Sequence, residues 1–185
     1  MEQKKRDRLG VIDYMNTKKN HIVTTRFNNA TWSENQHFIR RQDNNNKCVY
    51  CAPIMVASAI PSESIMFVME MNNDTNKIMG IGMIRNHPLV NFASVYTNNN
   101  FNRYVYAGKY RIDRTDMTEE EEEVICAFDV VCFRGPRHMK RGHGITAFPN
   151  DMLCRCARNK MDLVDYMTNM FKQRKAGNLR SLPCI

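Results

Sequence analysis

The sequence predicts an α+β fold: a small, strongly curved sheet or barrel flanked by helices, with further helices at the C-terminal end. Three observations predict it. A β-rich run from Ile65 to Met71 is followed by turn residues and a second run from Ile78 to Arg85. A glutamate-led helical pattern opens at Thr118. An amphipathic, methionine-rich pattern closes the chain between Met161 and Phe171. Strands thus precede a terminal pair of helices, and one helix is inserted early. A curved sheet packed against helices buries the apolar faces of that order most economically. The 185 residues suffice for one core. At 43% hydrophobic and 25% charged residues, the balance is that of a globular domain, which excludes a disordered chain.

The elements follow in order. Residues 1–20 are polar and basic and read as an N-terminal arm or short helix. Met1 to Arg8 contain no apolar core, which argues against a secretory signal. No run approaches the ~18 apolar residues of a membrane-spanning helix. His21 to Phe27 is β-branched and predicts a strand. Thr31, with Glu34 three residues on, has the pattern of a capping box for a helix through Trp32, Phe38 and Ile39. Asp43 to Asn46 ends that helix. Cys48 to Cys51 reads as a short strand. Between the two runs of the hairpin, Asn72 to Asn76 is turn chemistry. Gly80 and Gly82 in the return strand mark a bulge or a close approach of backbone.

Arg103 to Ile112 alternates as one strand, with Tyr104, Tyr106 and, beyond Gly108, Tyr110 on one face. Thr118 caps the next helix, Glu121 completes its capping box, and the remaining acids suit the helix dipole. Val124, Ile125, Phe128, Val131 and Cys132 form its apolar stripe. A last helical region starts at Asn150 or Asp151, with Gly177 as its C-cap. The expected organisation is a basic arm over 1–20, a single α+β domain over 21–177 that includes the C-terminal helices, and a tail over 178–185.

Charge points to a class of partner. The net charge of +8 makes a polyanion the first candidate. The segment from Arg134 to Gly144 holds four permanent cations, two histidines, three glycines and a proline, and no acid. Glycine and proline exclude a regular helix there, so the cations sit on a loop. Small residues let main-chain N–H groups of such a loop approach phosphate oxygens. Arg134, Arg137, His138, Lys140, Arg141 and His143 are therefore candidate phosphate contacts. Arg103, Lys109 and Arg111 join them, because they alternate with aromatic residues as base stacking with phosphate contact requires. Trp32, Tyr50, Tyr104 and Tyr106 are the candidates to stack on or cage a base.

Other chemistry finds less support. Cys48-x-x-Cys51 has zinc spacing, but its nearest second pair, Cys154 and Cys156, is one residue too close, so buried strand thiols are expected instead. None of the five histidines lies in HExxH, and GxSxG and Walker A motifs are absent. His138 and His143 with Lys140 carry the groups a metal-independent ribonuclease needs; the plainer reading is that they extend the basic loop. No metal and no cofactor are expected, and the protein is read as a binder rather than an enzyme.

Ile60-Pro61, the strand from Ser64 to Met71 and the Gly80-x-Gly82 strand together resemble the central hairpin of the PUA-like superfamily, especially its YTH and EVE branches. Tyr106 to Asp113 is similar to a later barrel strand of that group. The resemblance spans about residues 21–113. It implies a PUA-like β-barrel that binds nucleic acid, RNA in preference to DNA, often reading a modified base in an aromatic cage. Trp32 stands where YTH domains place a cage tryptophan; the other YTH landmarks are missing, so tyrosines would complete the cage. The whole chain, including Glu70 to Asp74 and His138 to Ile145, also resembles an uncharacterised protein family of large nucleocytoplasmic DNA viruses. That implies a viral protein in the host cytoplasm, the viral factory or the virion. It also supplies the alternative reading, a structural or assembly protein whose basic loop meets other viral proteins.

Overall fold

The computed structural model describes residues 2–42, 46–90 and 92–180. It is a mixed α+β structure whose elements run α1 (Glu2–Asn16), β1 (Asn20–Phe27), α2 (Asn29–Arg40), β2 (Cys48–Ala52), β3 (Ile65–Asn72), β4 (Lys77–Arg85), β5 (Tyr104–Gly108), β6 (Tyr110–Asp113), α3 (Glu119–Phe133), β7 (Thr146–Ala147), α4 (Asn150–Arg158) and α5 (Leu163–Arg180). Among the described residues the strands form two sheets and not one closed barrel. A five-stranded sheet has the order β6-β4-β3-β1-β7, and β2 pairs with β5 in a sheet of its own.

Contacts gather the chain into two compact units, residues 1–21 with 148–185, and residues 22–147. In the first, the expected N-terminal arm is helix α1, which packs on α4. The Tyr14 hydroxyl donates to Asp162 at 3.1 Å, and Lys18 pairs with Asp162 at 2.7 Å and Asp165 at 2.9 Å. The C-terminal helical region is two helices, broken around Lys160, whose φ is 67°. Leu163, Val164, Met167, Met170 and Phe171 are buried at the predicted spacing, whereas Met161 sits in the break and is exposed. Gly177 is no C-cap, because α5 runs on to Arg180. The rest of the expected tail, 181–185, lies outside the described residues.

The second unit holds both sheets. The predicted hairpin is β3 and β4, antiparallel, with an irregularity between Met69 and Met71 that sets Glu70 out of register. Both faces of β3 are covered, so its run from Ile65 to Met71 is apolar except for Glu70. Helix α3 begins as expected: Thr118 Oγ1 accepts from the Glu121 N–H at 3.3 Å, and Glu121 Oε2 accepts from the Thr118 N–H at 2.9 Å. Its stripe buries Ile125, Phe128 and Cys132.

Three expectations are corrected. Helix α2 is capped by Asn28, not Thr31. Asn28 Oδ1 accepts from the Thr31 N–H at 2.8 Å, and Thr31 Oγ1 accepts from the Asn28 N–H at 3.0 Å. Glu34 is left to accept from Thr97 Oγ1 at 2.6 Å. The helix ends at Arg40 with Arg41 as its C-cap; of residues 43–46, expected to end it, 43–45 lie outside the described residues. The strand expected from Arg103 to Ile112 divides at Lys109: β5 pairs with β2, and β6 pairs with β4. The tyrosines therefore part company, with Tyr106 buried and Tyr110 exposed.

The glycines of β4 explain the interior of this unit. Glu70 is 1% exposed. It accepts the Tyr50 hydroxyl at 2.6 Å and a two-pronged contact from Arg111, with Nε at 2.9 Å and Nη2 at 2.7 Å. Arg111 Nη1 donates to Asp113 at 2.8 Å. Burial alone would weaken the Arg111 cation, but the Glu70 carboxylate and these hydrogen bonds raise its pKa. A Cβ at Gly80 would come within 2.8 Å of Arg111 Nη2 and 2.9 Å of Glu70 Oε2; one at Gly82 would overlap the Tyr50 hydroxyl. Gly80-x-Gly82 is thus the gap that admits a buried ion pair.

Candidate nucleic-acid interface

The basic loop, residues 134–144, leaves the end of α3 and is fastened at several points. The Met139 N–H donates to the Cys132 carbonyl at 2.7 Å. Arg26, on β1, lies beneath the loop and donates to the Met139 carbonyl at 2.6 Å, the Gly144 carbonyl at 3.4 Å, Thr24 Oγ1 at 3.1 Å and Thr146 Oγ1 at 2.8 Å. From the β3–β4 turn, Asn73 Nδ2 donates to the Lys140 carbonyl at 3.2 Å, and Lys140 Nζ donates to Asn76 Oδ1 at 2.8 Å. The loop is therefore a positioned platform.

Its arginines point their charge elsewhere. Arg134, Arg137 and Arg141 are exposed, and among the described residues none of them pairs with a carboxylate. His143 is exposed, and His138 is half-buried with Nδ1 enclosed and without a hydrogen-bond partner. Lys140 is half-buried and engaged with Asn76. The three groups of the nuclease reading are thus one exposed imidazole, one enclosed imidazole and one tethered amine.

The other predicted contacts are scattered. Arg103 is exposed at the end of β5 whose Tyr104 pairs with Ala52. Ala52 lies against Gly144, so this is the loop's end of the strand. Lys109 follows the opposite end of β5, about 20 Å away at the ~3.3 Å rise of a strand. Arg111 belongs to the buried Glu70 pair and is no phosphate contact, its side chain being 10% exposed with both prongs occupied. Tyr50 and Tyr106 are core residues, 1% and 0% exposed. The Tyr50 hydroxyl serves Glu70, and the Tyr106 hydroxyl accepts from the Val56 N–H at 3.3 Å. Neither has a free face for a base. Trp32 is half-buried, edge-on to Phe27 at 5.1 Å, with the Arg111 guanidinium 5.6 Å above its ring. Tyr104 is half-buried against the core. The predicted aromatic cage is not assembled.

A different set of residues gathers under the loop. A pocket of about 240 Å³ is lined by Arg26, Phe27, Asn73, Tyr96, Phe101 and the Gly142–Gly144 turn, among others, and among the described residues no Asp or Glu lines it. Arg26 is the residue that sequence reading missed. It donates only to neutral oxygens, and burial draws its pKa down. Asn73 Oδ1 is enclosed and without a partner. Tyr96 and Phe101 meet edge to face at 6.2 Å. Asn102 fixes their loop by accepting from the Val95 and Tyr96 N–H groups and donating to the Tyr96 carbonyl. The one available signal was Arg26 itself, a lone cation inside a β-branched strand.

Cys48 and Cys51 are buried in β2, and burial pushes both thiols up to about 12. No group of three or more His, Cys, Asp or Glu placed to hold a metal ion occurs among the described residues. No helix among the described residues is long and apolar enough to cross a membrane. Comparison of the chain with protein-family models, with curated proteins and with solved structures finds no match in any of the three.

Proposed function

We propose that this is a nucleic-acid-binding protein, with RNA favoured over DNA, and that the loop over residues 134–144 is its contact with the phosphate backbone. The observation that carries the reading is the set of three exposed, unpaired arginines, Arg134, Arg137 and Arg141, on a loop held from beneath by Arg26 and Asn73. A surface arginine with a carboxylate beside it is already neutralised; these three are open to phosphate. His143 and Arg103 extend the same basic surface. A PUA-like relationship belongs to this proposal. The β1–α2–β2 order and the glycine-bearing β3–β4 hairpin support it, with two sheets in place of a closed barrel. Reading of a modified base would have to use Phe101, 37% exposed, in place of the expected tyrosines.

The test is charge reversal. Arg134→Glu/Arg137→Glu/Arg141→Glu alters exposed side chains only, so thermal unfolding is expected to be unchanged. Affinity for single-stranded RNA, measured by fluorescence anisotropy, is expected to fall roughly 100-fold, because three attractions to phosphate become three repulsions. Unchanged affinity would remove the loop from the interface.

A further inference from the structure

Three features of the pocket under the loop do not follow from its serving as a general backbone contact. First, the N–H groups of Gly142, His143 and Gly144, all pocket-lining residues, donate to no group among the described residues. Gly144 has φ of +68°, a left-handed conformation that glycine adopts at no steric cost. Second, Arg26 places an uncompensated guanidinium in the wall. Its four hydrogen bonds to neutral oxygens leave one Nη1 proton unused, since a guanidinium has five N–H donors. Third, no described residue of the lining is an acid. Donors, positive charge and absence of carboxylate meet in one recess.

The size of the recess narrows the ligand. About 240 Å³ is below the ~300–1,000 Å³ of pockets that enclose whole cofactors. It admits one end of a larger molecule. Phe101, 37% exposed, stands in the same wall as apolar surface for an adjoining ring.

We infer that this pocket receives a phosphate monoester, the terminal phosphate of a nucleic-acid strand, with Arg26 and the Gly142–Gly144 backbone as its donors. The inference rests on the nucleic-acid reading above and makes it specific: the loop arginines hold internal phosphates, and the pocket selects a phosphorylated end. A terminal phosphate carries nearly two negative charges at neutral pH, against one for an internal diester. It therefore profits more from a site whose charge is uncompensated. The same chemistry is offered by a free nucleoside monophosphate, which the experiment separates from a strand end.

The experiment compares one short single-stranded RNA bearing a 5′-phosphate, a 3′-phosphate or hydroxyls at both ends. Adenosine monophosphate and inorganic phosphate serve as competitors, and binding is read by fluorescence anisotropy. One phosphorylated end is expected to bind about tenfold more tightly than the hydroxyl-ended strand, as one added charge-assisted contact gives. His143→Glu places a carboxylate at the exposed rim without touching the core, and is expected to abolish that preference. Arg134→Glu/Arg137→Glu is expected to weaken all three strands alike and keep it. Arg26→Lys, which retains the charge but not the fork, is expected to lose part of it. Equal affinity for the three strands would overturn the inference while leaving the nucleic-acid reading intact. Binding of adenosine monophosphate with no binding of any strand would keep the pocket and overturn that reading. Tight binding of inorganic phosphate that His143→Glu does not weaken would place the anion elsewhere.

Discussion

Glu70→Gln is expected to lower the unfolding free energy by about 3 kcal/mol, the size of effect found when one partner of a buried ion pair is removed. The substitution is nearly isosteric, so the loss comes from charge and not from a cavity. Arg111 remains, 10% exposed, with Asp113 as its one paired carboxylate among the described residues, and that group is 39% exposed and shares its field with water. The Tyr50 hydroxyl would also exchange a carboxylate for a weaker amide acceptor. For a chain of this size the expected drop in Tm is about 6–12 °C. Asp113→Asn is the contrast, expected to cost under ~1 kcal/mol because its pair is partly solvated. The triple change Tyr50→Phe/Glu70→Leu/Arg111→Met removes the buried polar members together, leaving only the partly exposed Asp113, and is expected to be cheaper than Glu70→Gln alone. Chemical denaturation of the four proteins measures this; a Glu70→Gln protein as stable as the parent would show that the pair contributes nothing.

Gly82→Ala is expected to cost about 3 kcal/mol, although it adds one methyl group to a strand. That methyl would overlap the Tyr50 hydroxyl and lie 2.8 Å from Cys48 Sγ. Overpacking a tight core costs ~1–3 kcal/mol, and pushing Tyr50 aside breaks its 2.6 Å bond to Glu70, worth another ~1.5–3 kcal/mol for a charged acceptor. The closest clash is with the Tyr50 hydroxyl oxygen, so the share of the cost due to that oxygen is separable. In a Tyr50→Phe background the same Gly82→Ala change is expected to cost about 1 kcal/mol less or better, a coupling visible in a double-mutant cycle. Additive costs would mean that the obstruction is Cys48 Sγ or the Tyr50 ring carbon and not the hydroxyl.

The residues that the sequence made legible are those whose cause is local. Thr118 and Glu121 cap α3 through bonds three residues apart, and the β3–β4 hairpin follows from two apolar runs about a polar turn. What was not legible depends on distant partners. Tyr50 is in the core because Glu70, twenty positions on, is set out of register to receive its hydroxyl. Arg111 alternates with aromatics as a binding residue would, yet its charge is consumed by Glu70. The strand through Arg103 and Ile112 divides at Lys109 because its two halves pair with different strands, β2 and β4. Of the candidate interface, the arginines were visible as charge on a glycine-proline loop. Arg26 was not: its role depends on Met139, more than a hundred residues away.

The salt dependence of RNA binding tests the central claim most directly. Each phosphate neutralised on a single strand contributes about −0.7 to the slope of log Kobs against log salt concentration. With Arg134, Arg137 and Arg141 each holding one phosphate, the account predicts a slope of about −2 for the parent protein, and a slope close to zero for Arg134→Glu/Arg137→Glu/Arg141→Glu. A flat dependence in the parent, or the same steep slope in both proteins, would contradict it.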